Sequence, residues 1–139
     1  MNRVTRQPFP LLNEVPPVLR EVVLDFWWDS ALLWALDVAV VDVPLVELEW
    51  QLRLPWWAFE GRPFVVTPEQ VARDPATFRN QYVRTQATDL RFPLHVLRRR
   101  QKLTVLDGMH RLLKAHLEGR DTVKVKKVPP NVLDDIAHR

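Results

Sequence analysis

A short apolar strand that runs directly into a helix through Asp107-Gly108 constrains this fold more than any other feature of the sequence. The strand covers Leu103 to Leu106, a short apolar run. The helix covers Met109 to Glu118, with its apolar residues along one stripe and Gly119 in the position after its end. A strand that passes this abruptly into a helix exposes the first backbone N–H groups of the helix.

The elements around this turn complete a small sheet. Leu94 to Leu97 is a second short apolar run, separated from the first by a basic turn over residues 98–102. Val123 to Val128 is predicted to be a last strand, which Pro129-Pro130 ends. We therefore predict an α+β protein with a small mixed β-sheet and packed helices, preceded by a helical N-terminal extension.

The N-terminal part is divided by prolines more than by glycines. Val18 to Leu36 has a helical pattern, predicted as two short helices, and Asp29 or Ser30 is suited to cap the second. We predict an arm and helical extension over residues 1–42 and the main domain over residues 43–139, in one compact unit. The irregular arm is predicted from Pro8, Pro10, Pro16 and Pro17.

The middle of the chain contains two further patterns. Apolar and polar residues alternate from Val46 to Leu54, which predicts a half-buried strand. Thr67, Pro68 and Gln70 stand where the N-cap, first and third residues of a helix would be, and all three suit those positions. A second helix is predicted over residues 76–89.

Charge is distributed unevenly along the chain. Residues 1–90 hold eight Lys/Arg and twelve Asp/Glu, whereas residues 91–127 hold eleven Lys/Arg and three Asp/Glu. A basic C-terminal part indicates an anionic partner, although a solvated basic face balanced by an acidic one explains the same asymmetry.

Several classes of protein are excluded or disfavoured by what the sequence lacks. There is no cysteine, which excludes disulfides, thiolate metal sites and thiol catalysis. No apolar stretch approaches the roughly 18 residues of a membrane span. Met1-Asn2-Arg3 is not followed by the apolar segment of a secretory signal, so we expect a cytoplasmic protein without a membrane partner.

The start of the Met109 helix is a candidate anion site. Backbone N–H groups and the helix dipole both favour an anion there, and Gly108 allows a sharp turn and a close approach to the backbone. His110, Arg111 and Lys114 fall within one arc of the helix, and helical side chains lean toward the N-terminus. We therefore expect these three groups to converge on one anion.

The same residues resemble the ParB/sulfiredoxin-like superfamily. Phe92-Pro93-Leu94-His95-Val96-Leu97, a turn, Leu103 to Leu112 with Asp107-Gly108-Met109-His110-Arg111, and Val123-Lys124-Val125 are similar to its core. The likeness is closest over residues 92–125 and extends loosely back to about Val43. The tryptophan-rich first half does not resemble the known members and indicates a separate branch.

The resemblance implies that Gly108, Met109, His110 and Arg111 hold nucleotide phosphates. Sulfiredoxins place a catalytic cysteine where this chain has Met109, so reduction of a sulfinic acid is excluded. ParB itself needs a longer chain. The superfamily's free amino-acid kinases share Asp-Gly-x-His-Arg and use a glutamate from an early strand, which implies Glu47 or Glu49 here.

These observations favour a domain that binds ATP or CTP with Mg²⁺ and transfers a phosphoryl group to a small hydroxyl compound. Asp107, or an early glutamate such as Glu49, would then accept the proton of the acceptor. Alternatively Asp107 caps the helix or serves the turn. The rival functions are a non-catalytic nucleotide sensor, a DNA-binding module that uses the basic turn, and a protein-interaction module.

The roles of several aromatic and basic residues have more than one explanation. The six tryptophans either form a stacking platform for a base or a sugar, or belong to the core. His95 and His116 lie on apolar elements and are expected to be structural, and Lys114 is alternatively a solvated surface residue. The tryptophans are Trp27, Trp28, Trp34, Trp50, Trp56 and Trp57.

Overall fold

A four-stranded mixed β-sheet lies at the centre of the computed structural model, which describes residues 5–138. The strands are β1 (Val40–Pro44), β2 (Trp57–Phe59), β3 (Arg62–Val66), β4 (Leu94–Arg99), β5 (Lys102–Asp107) and β6 (Thr122–Lys127). The large sheet has the order β1-β6-β4-β5, and β2 and β3 form a separate hairpin. β6 is parallel to β4 and antiparallel to β1, while β4 and β5 form an antiparallel pair. The predicted α+β class with a mixed sheet is confirmed.

Five short helices and four 3₁₀ helices surround the sheet within the described residues. The α-helices are α1 (Pro17–Arg20), α2 (Ser30–Ala35), α3 (Pro68–Arg73), α4 (Arg79–Ala87) and α5 (Met109–Leu117). The 3₁₀ helices are Leu12–Glu14, Leu45–Glu47, Glu49–Arg53 and Pro130–Ile136. No helix in this part of the chain is both long enough and apolar enough to cross a membrane.

The predicted N-caps of α2 and α3 are confirmed. Asp29 caps α2, since its carboxylate accepts a hydrogen bond from the backbone N–H of Leu32 at 3.0 Å. Thr67 and Gln70 form a capping box at the start of α3, each side chain accepting from the backbone N–H of the other residue. α4 begins at Arg79 and ends at Ala87, which is shorter than the predicted helix over residues 76–89.

The sheet separates two apolar clusters. Val96 and Leu97 are consecutive residues of β4, and they belong to different clusters because successive strand residues face opposite sides. The first cluster joins the sheet to α3 and α5, and the second joins it to the N-terminal segment and to Pro130–Ile136. In the second cluster Leu33 of α2 and Ile136 are fully buried. The N-terminal segment is therefore an integral layer of the protein.

The predicted strand from Val46 to Leu54 is wrong, because the segment forms two 3₁₀ helices instead. Val46 is 73% exposed, whereas Leu48 is fully buried. The buried positions Leu45, Leu48 and Gln51 recur every third residue, which is the period of a 3₁₀ helix. The sequence alternates between apolar and polar residues, as that of a strand does, because exposed positions such as Val46 also carry apolar side chains.

The buried amide of Gln51 explains how this segment still completes the sheet. Its Nε2 donates to the carbonyl oxygen of Leu103 at 3.0 Å, and its Oε1 accepts from the N–H of Val105 at 2.8 Å. Both partners lie on the outer edge of β5. One side chain therefore satisfies the backbone groups that a neighbouring strand would otherwise pair with.

Two elements were not predicted. β1 occupies residues 40–44, so the boundary predicted between residues 42 and 43 falls inside a strand. The hairpin β2–β3 turns at Glu60-Gly61, where both residues have positive φ, 51° and 78°. The predicted irregular arm begins at residue 1, and its residues 1–4 lie outside the described part of the chain.

Candidate functional site

A pocket of about 520 Å³ opens where β5 turns into α5. Four residues of the predicted anion site line it, together with Asp107. The lining comprises Trp34, Trp56, Trp57, Arg84, Thr88, Val105, Leu106, Asp107, Gly108, Met109, His110 and Arg111. The structure therefore brings the Asp107-Gly108-Met109-His110-Arg111 segment to one cavity, with residues from three other parts of the chain.

Gly108 gives the turn its geometry. Its φ of 117° and ψ of 21° place it in the left-handed region, which side chains disfavour. A Cβ atom there would lie 2.8 Å from Cγ of Leu94, closer than van der Waals contact allows. The backbone at the start of α5 therefore stays close to β4 and remains open toward the pocket.

The first amides of α5 have no side-chain cap. Gly108 is the N-cap residue, and among residues 5–138 no side chain caps the first turn. The alternative in which Asp107 caps the helix is therefore wrong. The Asp107 carboxylate instead accepts from Trp34 Nε1 at 2.8 Å and from Arg111 Nη2 at 3.3 Å. An α-helix leaves its first backbone N–H groups without partners inside the helix, and here they meet the pocket.

Arg111 is the most buried cation at the pocket. Its side chain is 13% exposed, and its guanidinium carbon lies 5.1 Å from the centre of the Trp34 ring. The Nε atom is buried and has no hydrogen-bond partner within residues 5–138. An unsatisfied buried donor costs about 1–3 kcal/mol, and this one lies against Gly108, 3.3 Å from where a Cβ of that residue would be.

His110 is held between α4 and the β2–β3 hairpin. Its Nε2 lies 2.8 Å from Oε1 of Gln81, and its ring stacks on Trp57 with 4.4 Å between centroids. Burial, followed by the charges of Arg84 and Arg111, lowers the pKa of His110 to about 4. At neutral pH the ring is therefore a neutral group.

The depressed pKa of His110 predicts a pH-dependent stability. The folded state favours the neutral ring, so its contribution is complete above the unfolded pKa of 6.5 and is lost as pH falls toward 4. In this window we expect wild type to lose up to about 1.4 kcal/mol per pH unit more than His110→Gln. Urea unfolding of both proteins at several pH values measures the difference. Burial also lowers the pKa of His95, but that contribution is present in both proteins. Equal pH slopes would contradict the prediction.

Two predicted site residues lie elsewhere. The Lys114 ammonium donates to the carbonyl oxygens of Gln86 at 3.0 Å and Thr88 at 2.6 Å, where it stabilises the C-terminal end of α4. The prediction that it reaches the anion site is wrong. Glu49 lies 3.5 Å from His116 Nδ1, near the opposite end of α5 from Asp107. The structure therefore does not bring Glu49 together with Asp107.

Residues that the sequence did not single out complete the site. Arg84 is exposed on α4, one turn after Gln81, and it adds a second cation to the lining. Trp34, Trp56 and Trp57 also line the pocket. The sequence left all six tryptophans as either a platform or core residues, and no pattern distinguished these three from the others.

The basic side chains of the turn between β4 and β5 mostly contact other parts of the protein. Arg99 donates to the carbonyl oxygens of Val22 and Val23 at 3.0 and 2.8 Å. Arg100 pairs with Glu21 at 2.7 Å, and the Lys102 ammonium lies 4.7 Å from the centre of the Trp50 ring. These contacts tie the turn to the N-terminal segment and to the 3₁₀ helix Glu49–Arg53.

Metal-ligating side chains do not gather in the described residues. Among residues 5–138 no group of three or more His, Asp and Glu side chains is placed to hold a metal ion. Asp107 supplies the one carboxylate among the residues that line the pocket.

Comparison with known proteins leaves the chain without an assigned family. No family model matches it, and no curated protein matches it. A similar solved structure is the crystal structure of sulfiredoxin from Arabidopsis thaliana, with 17% sequence identity and a TM-score of 0.37. The likeness covers 65% of this chain and 84% of the sulfiredoxin chain. At this identity and TM-score, the likeness carries no inference about function.

Proposed function

We propose that this protein is a ParB/sulfiredoxin-like domain that binds the phosphates of a nucleotide, ATP or CTP, at the start of α5. The observation that carries the proposal is that Arg111, whose Nε has no acceptor among residues 5–138, lines one pocket together with Gly108 and the first residues of the helix. A phosphate oxygen is the acceptor that both kinds of donor favour. Gly108 supports this assignment, because its lack of a side chain keeps the backbone accessible.

The charges around the pocket suit an anion of more than one phosphate. Arg84 and Arg111 enter it from α4 and α5, and the dipole of α5 adds partial positive charge at the same end. His110 stays neutral, so its role is to position rather than to neutralise. Asp107 is the one acidic lining residue, and its carboxylate is bound by Trp34 and Arg111.

We further propose that Asp107 accepts the proton of a small hydroxyl compound during phosphoryl transfer. The carboxylate is one-third exposed, and it lies at the junction of the strand end and the anion site. Arg111 offsets its repulsion of the phosphates. Mg²⁺ bound with the nucleotide would neutralise phosphate charge. Positioning and electrostatic stabilisation account for most of catalysis in such reactions.

A nucleotide panel tests this function. We expect ATP or CTP with Mg²⁺ to raise the melting temperature, because a ligand at 100 times its dissociation constant stabilises the folded state by about 2.7 kcal/mol. With Mg²⁺ and a pool of free amino acids, we expect nucleotide consumption that Asp107→Asn abolishes. The variant should keep the wild-type melting temperature to within a few degrees, since an asparagine oxygen also accepts from Trp34 Nε1.

The same experiment separates binding from catalysis. A melting temperature that no nucleotide changes would refute the phosphate site. Nucleotide binding without consumption would leave a non-catalytic nucleotide sensor, the second candidate. One observation favours that candidate: the hydrogen bonds from Trp34 and Arg111 both end on Oδ2 of Asp107, which leaves Oδ1 as the one carboxylate oxygen open to an acceptor hydroxyl.

A further inference from the structure

The three tryptophans of the pocket differ in what surrounds their rings. Trp57 is 7% exposed and stacks on His110. Trp34 contacts the guanidinium of Arg111, and its ring centre lies 5.2 Å from that of His95 and 6.1 Å from that of Phe92. Trp57 is therefore buried, whereas Trp34 is 38% exposed but its ring already contacts Arg111, His95 and Phe92.

Trp56 is the exception. It is half-buried, and its ring has no aromatic or cationic partner among residues 5–138. The residue lines the main pocket on one side and a smaller, mainly apolar cavity of about 130 Å³ on the other. The indole packs against the first apolar cluster and also lines the pocket next to Gly108 and Arg111.

The orientation of Trp56 is determined by the backbone. Its Nε1 donates to the carbonyl oxygen of Gln51 at 2.8 Å, and the Gln51 side chain is in turn bonded to Leu103 and Val105 of β5. This chain of hydrogen bonds joins the indole to the strand that ends at Asp107. A ring held in this way loses little conformational entropy when a ligand packs on it.

We propose that Trp56 determines the specificity of the site by providing a flat wall on which the planar ring of the ligand stacks. The inference rests on the proposed function and adds the second half of the ligand: phosphates at the start of α5, and an aromatic base against Trp56. Stacking on an indole is tolerant of base identity, because every base has a π face. The site therefore selects nucleotides over sugar phosphates and inorganic phosphates.

Dissociation constants for ATP and for tripolyphosphate test this inference. Wild type should bind ATP more tightly than tripolyphosphate, by roughly tenfold or more if the base stacks. Trp56→Leu should lose that preference while its affinity for tripolyphosphate stays unchanged. Trp56→Phe keeps an aromatic face without the hydrogen bond to Gln51, so it should retain part of the preference. Trp50→Leu is the matched control, because Trp50 lies against Lys102 and does not line the main pocket.

The outcomes test the role of Trp56 separately from the phosphate site. If wild type binds ATP and tripolyphosphate equally, or if Trp56→Leu weakens both by the same factor, the specificity role of Trp56 is refuted and the phosphate site stands. If Trp56→Leu does not fold, a preference in Trp56→Phe that is reduced from that of wild type supports the inference, and an unchanged preference overturns it. If wild type binds neither compound, the phosphate site fails, and the role of Trp56 fails with it.

Discussion

Replacement of Gly108 by alanine is expected to lower the free energy of unfolding by about 2–5 kcal/mol. About 1–2 kcal/mol of this is the cost of a side chain in the left-handed region, and about 1–3 kcal/mol is the cost of overpacking. The overpacking term arises because the new Cβ would lie 2.8 Å from Leu94 Cγ and 3.1 Å from Arg111 Nη2. Leu94 is fully buried, so it has little room to move aside. Urea denaturation of both proteins measures the difference.

Gly119 provides a matched control for this experiment. It also has a positive φ, 69°, but a Cβ there would meet no atom within 4 Å. Gly119→Ala should therefore show only the conformational cost, about 1–2 kcal/mol. If the two substitutions destabilise the protein equally, the crowding at Gly108 is relieved without cost, and the packing argument for this turn is wrong.

Replacement of Arg111 by alanine is expected to weaken nucleotide binding by about 1.5–3 kcal/mol, the range for loss of a hydrogen bond to a charged group. The guanidinium is the most buried cation at the pocket, so a hydrogen bond from it to a phosphate would be only weakly screened by water. Isothermal titration of ATP or CTP gives the affinity. Arg120→Ala is the control, because Arg120 pairs with Glu118 beyond the far end of α5.

Stability distinguishes a binding role of Arg111 from a structural one. A buried cation with an unsatisfied donor is costly, and an apolar side chain of similar length often substitutes for it without loss. Arg111→Met should therefore melt no lower than wild type while it loses nucleotide affinity, since Asp107 keeps its hydrogen bond from Trp34. If Arg111→Met has the nucleotide affinity of wild type, Arg111 is not part of the site. If the variant instead loses much stability, Arg111 has a structural role.

Local signals accounted for the elements that were predicted correctly. The start of α3 depends on Thr67 and Gln70, which are three residues apart, and the turn at Gly108 depends on neighbouring residues. Patterns within a few residues are visible in a sequence, and the C-terminal strand–helix–strand unit consists of such patterns. The candidate site residues from Asp107 to Arg111 line one pocket because they are consecutive.

The features that the sequence did not predict depend on contacts between residues that are far apart in the chain. The hydrogen bond from Trp34 to Asp107 spans 73 positions, and Gln51 reaches β5 across 52 and 54. Lys114 follows the helical arc as expected, but the carbonyls at the end of α4 provide acceptors that no helix pattern reveals. The pKa of His110 likewise depends on burial by Trp57 and on Arg84, which come from other elements.

Trp34 of the N-terminal segment contacts Asp107 and Arg111 of the pocket. Packing of this segment on the sheet and binding of a ligand in the pocket are therefore linked equilibria. Trp34 belongs to α2, which the buried Leu33 anchors on the far face of the sheet from α5. Thermodynamic reciprocity then requires that ligand binding change the docking equilibrium of the segment by the same factor as docking changes ligand affinity. Hydrogen exchange at α2 amides, measured with and without nucleotide, would therefore report the coupling free energy directly.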